Sequence, residues 1–141
     1  MNTPEVLIEH SDGLVIITIN RPEQKNAVNR AVSYGVCEAI DEMERNPALH
    51  AAVLTGAGGT FCSGMDLSVF QSDPTLSDSN GPKHASRRGE RFRSTAMKLQ
   101  DSFTALERAR MPVLCAIQGA CVGGGIDMVS AADLRYASES A

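Results

Sequence analysis

Gly119-Ala120-Cys121-Val122-Gly123-Gly124-Gly125-Ile126-Asp127 is the most informative stretch of this chain. It follows an apolar run at residues 113–117 that reads as a buried strand, and it precedes residues 126–132, which read as a helix. Three consecutive glycines between a strand and a helix let the backbone come within contact distance of a ligand, while the first helical N–H groups point outward. The helix dipole adds partial positive charge at the same end, so the turn suits a phosphate or an oxygen that becomes negative during a reaction. The phosphate-loop spacings GxGxxG and GxxxxGK[ST] are absent. Asp127, two residues after the last glycine, would repel a permanent dianion, but a carboxylate beside a developing enolate can exchange a proton or orient a water. The same residues also fit a plain tight turn in which Asp127 is a dipole-favoured helix-start residue, and the stretch alone does not choose.

Working outward, Gly58-Gly59-Thr60-Phe61-Cys62-Ser63-Gly64-Met65-Asp66-Leu67 follows another short apolar strand, residues 51–55, and again sets a glycine just before a potential donor, the N–H of Met65. Two such loops after neighbouring strands can aim two N–H groups at one carbonyl oxygen. Upstream, residues 6–10 and 14–19 are β-branched runs separated by Ser11-Asp12-Gly13, which predicts a hairpin. Asn29 is placed to cap a helix carrying Val32, Val36, Ile40 and Met43 at helical spacing, and Asn46-Pro47 stops it. Residues 71–90 hold one aliphatic side chain larger than alanine, Leu76, and predict a mobile loop. A helix from about Arg91 to Arg110, with Met97, Phe103 and Leu106 on one side, and a strand at 134–136 complete the pattern.

The 141 residues are 43% apolar with a net charge of −4, the size and composition of one globular domain with no general attraction for nucleic acid or an anionic membrane. Lys83, Arg87, Arg88, Arg91 and Arg93 against Glu90 form a local basic cluster, read first as solvated charge and second as a source of phosphate attraction. Cys37, Cys62, Cys115 and Cys121 lack CxxC or Cys/His spacing and read as reduced core thiols. His10, His50 and His84 share no ligand spacing, so no metal is expected. With neither a leader-like N-terminus nor a membrane-length apolar run, the chain reads as soluble and cytoplasmic.

Three segments together resemble the crotonase (enoyl-CoA hydratase/isomerase) superfamily. Asn20-Arg21-Pro22 with Lys25-Asn26-Ala27 is similar to its N-R-P-x-x-x-N-A, Phe61 to Leu67 to its F-[CAS]-[AS]-G-x-D-L, and Pro112-Val113 through Ala132-Asp133 to its P-V-x-A-x-x-G-x-x-x-G-G-G-x-[ED]-x-x-x-x-x-D. The resemblance implies an α/β fold of repeated ββα turns wound into a spiral, assembly as trimers or hexamers, and an acyl-CoA thioester substrate, with coenzyme A entering only as part of that substrate. It implies that the N–H groups of Met65 and Gly124 hold the thioester oxygen and that Asp127 occupies the position of the first catalytic carboxylate. It sets Lys25, Arg21, Ser63, Gly64, Asp66, Leu67 and Gly123 along the coenzyme A-binding edge, although Asp66 also fits a turn residue that accepts local N–H groups. Aspartate in a G-G-G-[VI]-D context looks most like dienoyl-CoA isomerases, and Ser68 stands where the family often has a basic residue.

The second acid of the family and its C-terminal helical region would lie beyond Ala141, so residues 1–141 are expected to be the N-terminal part of the crotonase core. Two other readings remain open at this point: an acyl-CoA binder or inactive fragment without turnover, and a Clp-type serine peptidase using Ser63 or Ser130. The latter needs a histidine partner, and none follows His84.

Overall fold

The computed structural model describes residues 4–71 and 82–141. Five strands, β1 (Val6–Ser11), β2 (Leu14–Ile19), β3 (Ala51–Gly56), β4 (Val113–Ile117) and β5 (Leu134–Ala137), form one sheet whose spatial order equals the chain order. β1 and β2 are antiparallel across the expected hairpin, with Asp12 and Gly13 at positive φ in the turn. Every later pair is parallel. Each parallel step therefore moves to the next sheet position in the same direction, which winds the chain as a spiral.

Period-two patterning decides which face of β2 is covered: Val15, Ile17 and Ile19 are fully buried while their neighbours are partly open. They pack under α1 (Arg30–Arg45), which buries Val32, Val36, Ala39, Ile40 and Met43. The Asn29 side chain accepts from Val32 N at 2.9 Å, the cap that the sequence suggests, and Asn46 ends the helix. A one-turn helix α2 (Ser68–Gln71) follows the second glycine loop.

α3 runs from Pro82 to Arg108, so it starts well before the expected Arg91, and its first turns occupy part of the stretch read as a loop; residues 72–81 of that stretch lie outside the described residues. Proline at the first helical position costs nothing there, because that N–H has no intrahelical acceptor. The buried stripe of α3 is Thr95, Leu99, Ser102 and Leu106, not one containing Met97, which is 49% exposed. Steps of four, three and four residues hold one helix face, and Met97 sits off it. Against this stripe the Ser33 hydroxyl of α1 donates to the Lys98 and Leu99 carbonyls at 2.9 and 3.2 Å.

α4 (Gly124–Ala131) joins β4 to β5, and Arg135 caps its end by donating to the carbonyls of Val129 and Ala132 at 2.9 and 2.7 Å. Asp133 ties the two flanking strands, accepting from Val113 N at 2.8 Å, in keeping with a packing role. No helix among the described residues is long and apolar enough to cross a membrane.

Candidate active site

The loops leaving β2, β3 and β4 are zipped together at one end of the sheet. Val28 pairs in parallel with Met65, and Cys62 with Cys121. These short pairings give each turn of the spiral a second strand-like segment before its helix, the ββα repeat that the family resemblance implies. The first zip consists of Val28 N to Gly64 O and Asp66 N to Val28 O, both 2.8 Å; the second of Cys62 N to Ala120 O and Val122 N to Cys62 O, both 3.0 Å.

Because the loops are pinned on both sides, the two glycine turns meet. A Cβ placed on Gly64 would lie 3.6 Å from Gly124 N and 3.3 Å from Val122 O; one on Gly124 would press to 2.9 Å from the Met65 sulfur. Gly64 (φ +100°) and Gly123 (φ +52°) take backbone conformations that a side chain disfavours. Among the described residues neither Met65 N–H nor Gly124 N–H donates to a protein acceptor, whereas Asp66, Gly125, Ile126 and Asp127 N–H groups all do. Two adjacent unspent donors, one at the start of α4, are groups of the kind that favour an oxygen carrying negative charge.

Asp127 lies three residues after Gly124 on the first turn of α4, where i and i+3 share a face. It lines an open groove of about 450 Å³ with Gln100, Phe103, Thr104 and Glu107 of α3 and Ser130. The wall from α3 was not legible in the sequence, because the face that helix turns toward α4 follows from packing on α1.

The expected binding residues divide into two groups. Lys25 (φ +49°, exposed) sits beside the second loop: its carbonyl accepts from Ser63 N at 3.0 Å, and the Ser63 hydroxyl donates to Gln24 O at 3.3 Å. Leu67, 67% exposed, lies further along the same loop. Arg21 is different. Its side chain is only 10% exposed and is spent inside the protein, on Asp66 at 2.9 Å, on Glu5 at 3.3 Å and on the Ala27 carbonyl. A guanidinium with those acceptors braces the loop, a role that the sequence did not assign to Arg21. Asp66 is its counterpart, accepting also from Ser68 N and Oγ at 3.0 and 2.6 Å, as a turn-holding carboxylate does. In the basic cluster, Arg93 pairs with Glu90 at 3.8 Å, and the side chains of Lys83, Arg87 and Arg88 lie outside the described residues.

The Asp66 carboxyl is held below the usual carboxylate range, chiefly by the Ser68 hydroxyl and then by Arg21. A carboxylate depressed in the folded state adds stability that is complete above its unfolded value, near 4, and lost as pH falls through its folded value. Asp66→Asn is therefore expected to lower the unfolding midpoint at neutral pH and to match wild type near pH 2, a convergence that urea titrations at the two pH values would check.

Asn26 is the site residue whose role the sequence did not reveal, although it stands in the first quoted motif. It is fully buried in a left-handed conformation, accepts from Arg21 N at 2.9 Å and donates to the carbonyls of Ala57 and Thr60 at 2.8 and 2.6 Å. It thereby ties the first loop to the second. Asn26→Ala orphans those buried groups at about 1 to 3 kcal/mol each, so a loss of about 3 kcal/mol or more is expected from urea unfolding.

A model of the enoyl-CoA hydratase/isomerase family matches residues 9–141. The chain is 38% identical over 140 residues to the peroxisomal Delta(3,5)-Delta(2,4)-dienoyl-CoA isomerase of Arabidopsis thaliana, an alignment covering 99% of this chain and 50% of that protein. It is 34% identical over 136 residues to the probable enoyl-CoA hydratase EchA14 of Mycobacterium tuberculosis H37Rv, covering 96% and 48%. Among solved structures, a probable enoyl-CoA hydratase/isomerase from Mycobacterium abscessus is 38% identical and superposes with a TM-score of 0.76 over 99% of this chain and 48% of its own. The chain spans about half the length of the curated relatives it matches.

Proposed function

Because the chain belongs to the enoyl-CoA hydratase/isomerase family, we propose that it is the carbonyl-binding part of an enzyme that hydrates or isomerises an unsaturated fatty acyl-CoA. The observation that carries this reading is the convergence of the Gly64-Met65 and Gly123-Gly124 turns with two unspent N–H donors. A thioester oxygen seated on Met65 N–H and Gly124 N–H is drawn toward the enolate, because fixed donors stabilise charge that develops there better than reorganising water does. The α-carbon then becomes acidic. Asp127, in the groove alongside, moves a proton to or from the acyl chain, or orients a water at the β-carbon; the acyl chain lies against Phe103 and Thr104. No metal is called for in this scheme, and coenzyme A enters as part of the substrate.

Aspartate at position 127, and the 38% identity to a protein named as a dienoyl-CoA isomerase, favour double-bond isomerisation over hydration. The test is an assay of the full-length protein on 2-enoyl-CoA and 3,5-dienoyl-CoA. Turnover of the dienoyl substrate supports isomerisation, turnover of the enoyl substrate supports hydration, and tight acyl-CoA binding without turnover of either points to a binder.

Lys25, exposed beside the carbonyl-binding loop, is proposed to meet the coenzyme A phosphates with its ammonium. A phosphate contact is made equally in ground and transition states, so Lys25→Ala is expected to raise KM by about threefold to tenfold with kcat unchanged. Steady-state kinetics at two salt concentrations would check this, the KM difference shrinking as salt rises.

A further inference from the structure

We propose that Cys62 and Cys121 are a modification site: a peroxide couples them into a reversible disulfide that displaces the carbonyl-binding loop. The effect assigned to the disulfide rests on the function proposed above; its formation does not.

The two cysteines belong to different loops but are directly paired in a parallel bridge, with Cys62 N bonded to Ala120 O and Val122 N to Cys62 O at 3.0 Å each. Paired residues on adjacent strands lie about 4.8 Å apart, within the Cα spacing of about 4.4 to 6.8 Å that a disulfide spans. Directly paired residues of a parallel ladder also direct their side chains to the same face. Gly125 confirms the shared direction, since a Cβ there would lie 3.0 Å from Cys62 Cβ and 3.4 Å from Cys121 Sγ. Both side chains thus border the same small space, which the glycine leaves open.

One partner is reachable and the other is coupled to the site. Cys121 is partly exposed, whereas Cys62 is fully buried. The Cys62 sulfur accepts from Gly64 N at 3.3 Å, and its thiol donates to Gly64 O at 3.7 Å. Gly64 is the residue before the Met65 donor, and its carbonyl also receives Val28 N. Drawing the Cys62 sulfur to Cys121 removes the S–H donor and loosens the hold on the Gly64 peptide, so the Met65 N–H loses its aim.

The chemistry balances with hydrogen peroxide as oxidant. The Cys121 thiolate attacks one peroxide oxygen, breaking the O–O bond and giving a sulfenic acid and hydroxide, which takes up a proton to become water. The Cys62 sulfur then displaces the sulfenic hydroxyl as a second water, so two thiols and one peroxide yield one disulfide and two waters. Burial raises the Cys121 and Cys62 thiols above their ordinary range, so the reactive thiolate is scarce at neutral pH and the coupling is expected to speed up about tenfold per pH unit below the thiol pKa. Cys115, fully buried and pushed up to about 12 by burial and then by Cys121, is not the residue paired with Cys121 in the bridge.

The experiment treats the full-length protein with hydrogen peroxide, blocks remaining thiols, and maps peptides without reduction. A linked Cys62–Cys121 peptide is expected, with faster amide exchange across residues 62–67 and a fall in acyl-CoA turnover of at least tenfold, all reversed by dithiothreitol. Cys121→Ala should show no link, and its turnover should resist the same treatment. The proposal is overturned if folded wild type gives no linked peptide, if the link forms with exchange and turnover unchanged, or if Cys121→Ala is inactivated to the same extent. Untreated protein that turns over neither enoyl-CoA nor dienoyl-CoA would instead count against the proposed function, and the linked peptide and the exchange rates would still decide the switch.

Discussion

If the proposed function holds, Asp127→Asn in the full-length protein is expected to reduce kcat on an unsaturated acyl-CoA by about a hundredfold to ten-thousandfold, the range that a positioned acid or base supplies. KM should change little. The exchange keeps the size and the helix position of the side chain while removing its capacity to carry a proton, so the fold has no reason to respond: Asp127 is exposed, and its backbone N–H bonds Gly123 O whatever the side chain is. Thermal unfolding within a degree or two of wild type, together with the collapse of turnover, would place the proton at Asp127. A variant that loses activity by less than about tenfold would remove Asp127 from the chemistry and leave it as a helix-start residue favoured by the dipole.

Gly64→Ala carries the second large effect. At φ +100° an alanine is strained, and its Cβ would stand 3.3 Å from Val122 O and 3.6 Å from Gly124 N, in the space where the two donor turns meet. The cheapest relief is a movement of the Gly64–Met65 peptide away from the Gly123–Gly124 turn. One of the two donors then loses its aim. Loss of one such donor costs about 3 to 4 kcal/mol of transition-state stabilisation, or about a hundredfold to a thousandfold in kcat. The strain itself removes about 1 to 3 kcal/mol of stability. The pair of measurements is the test: a large drop in kcat with a modest drop in the melting temperature supports a donor displaced by a methyl group, whereas equal turnover in a destabilised protein would mean that the Met65 N–H does not touch the reacting oxygen.

The elements that the sequence revealed are those decided by short-range physics. The hairpin at Ser11-Asp12-Gly13, the Asn29 cap, the stop at Asn46-Pro47 and the strand at 113–117 depend on the residues themselves and their immediate neighbours, and each lies where the pattern puts it. The start of α3 was missed because Ser, Gly, Lys and Arg without an apolar stripe carry no helical signature. A stretch of that composition becomes readable as helix only through its continuity with the buried stripe at Thr95, Leu99, Ser102 and Leu106. Met97 was assigned to the wrong face for a related reason, since one apolar residue among polar neighbours does not define which side of a helix will find a partner.

At the site, the glycine turns, the candidate donors and Asp127 were visible in the sequence, because a strand running into glycine and then helix constrains the backbone wherever it occurs. The motifs also brought together residues with different roles. Arg21 and Lys25 are equally cationic on paper and four positions apart, yet Arg21 is folded inward onto Asp66, Glu5 and Ala27 while Lys25 faces solvent. Likewise Cys62 and Cys121, 59 residues apart in the chain, became a pair only when the loops after β3 and β4 zipped in register. By itself, then, the sequence determined the strands, the caps, the family and the chemical types present at the site. Which of those groups meet, and which are already spent on one another, was decided only by the tertiary structure, because long-range pairing is set by the register of the sheet and the burial of the core, and neither is written in any local stretch of residues.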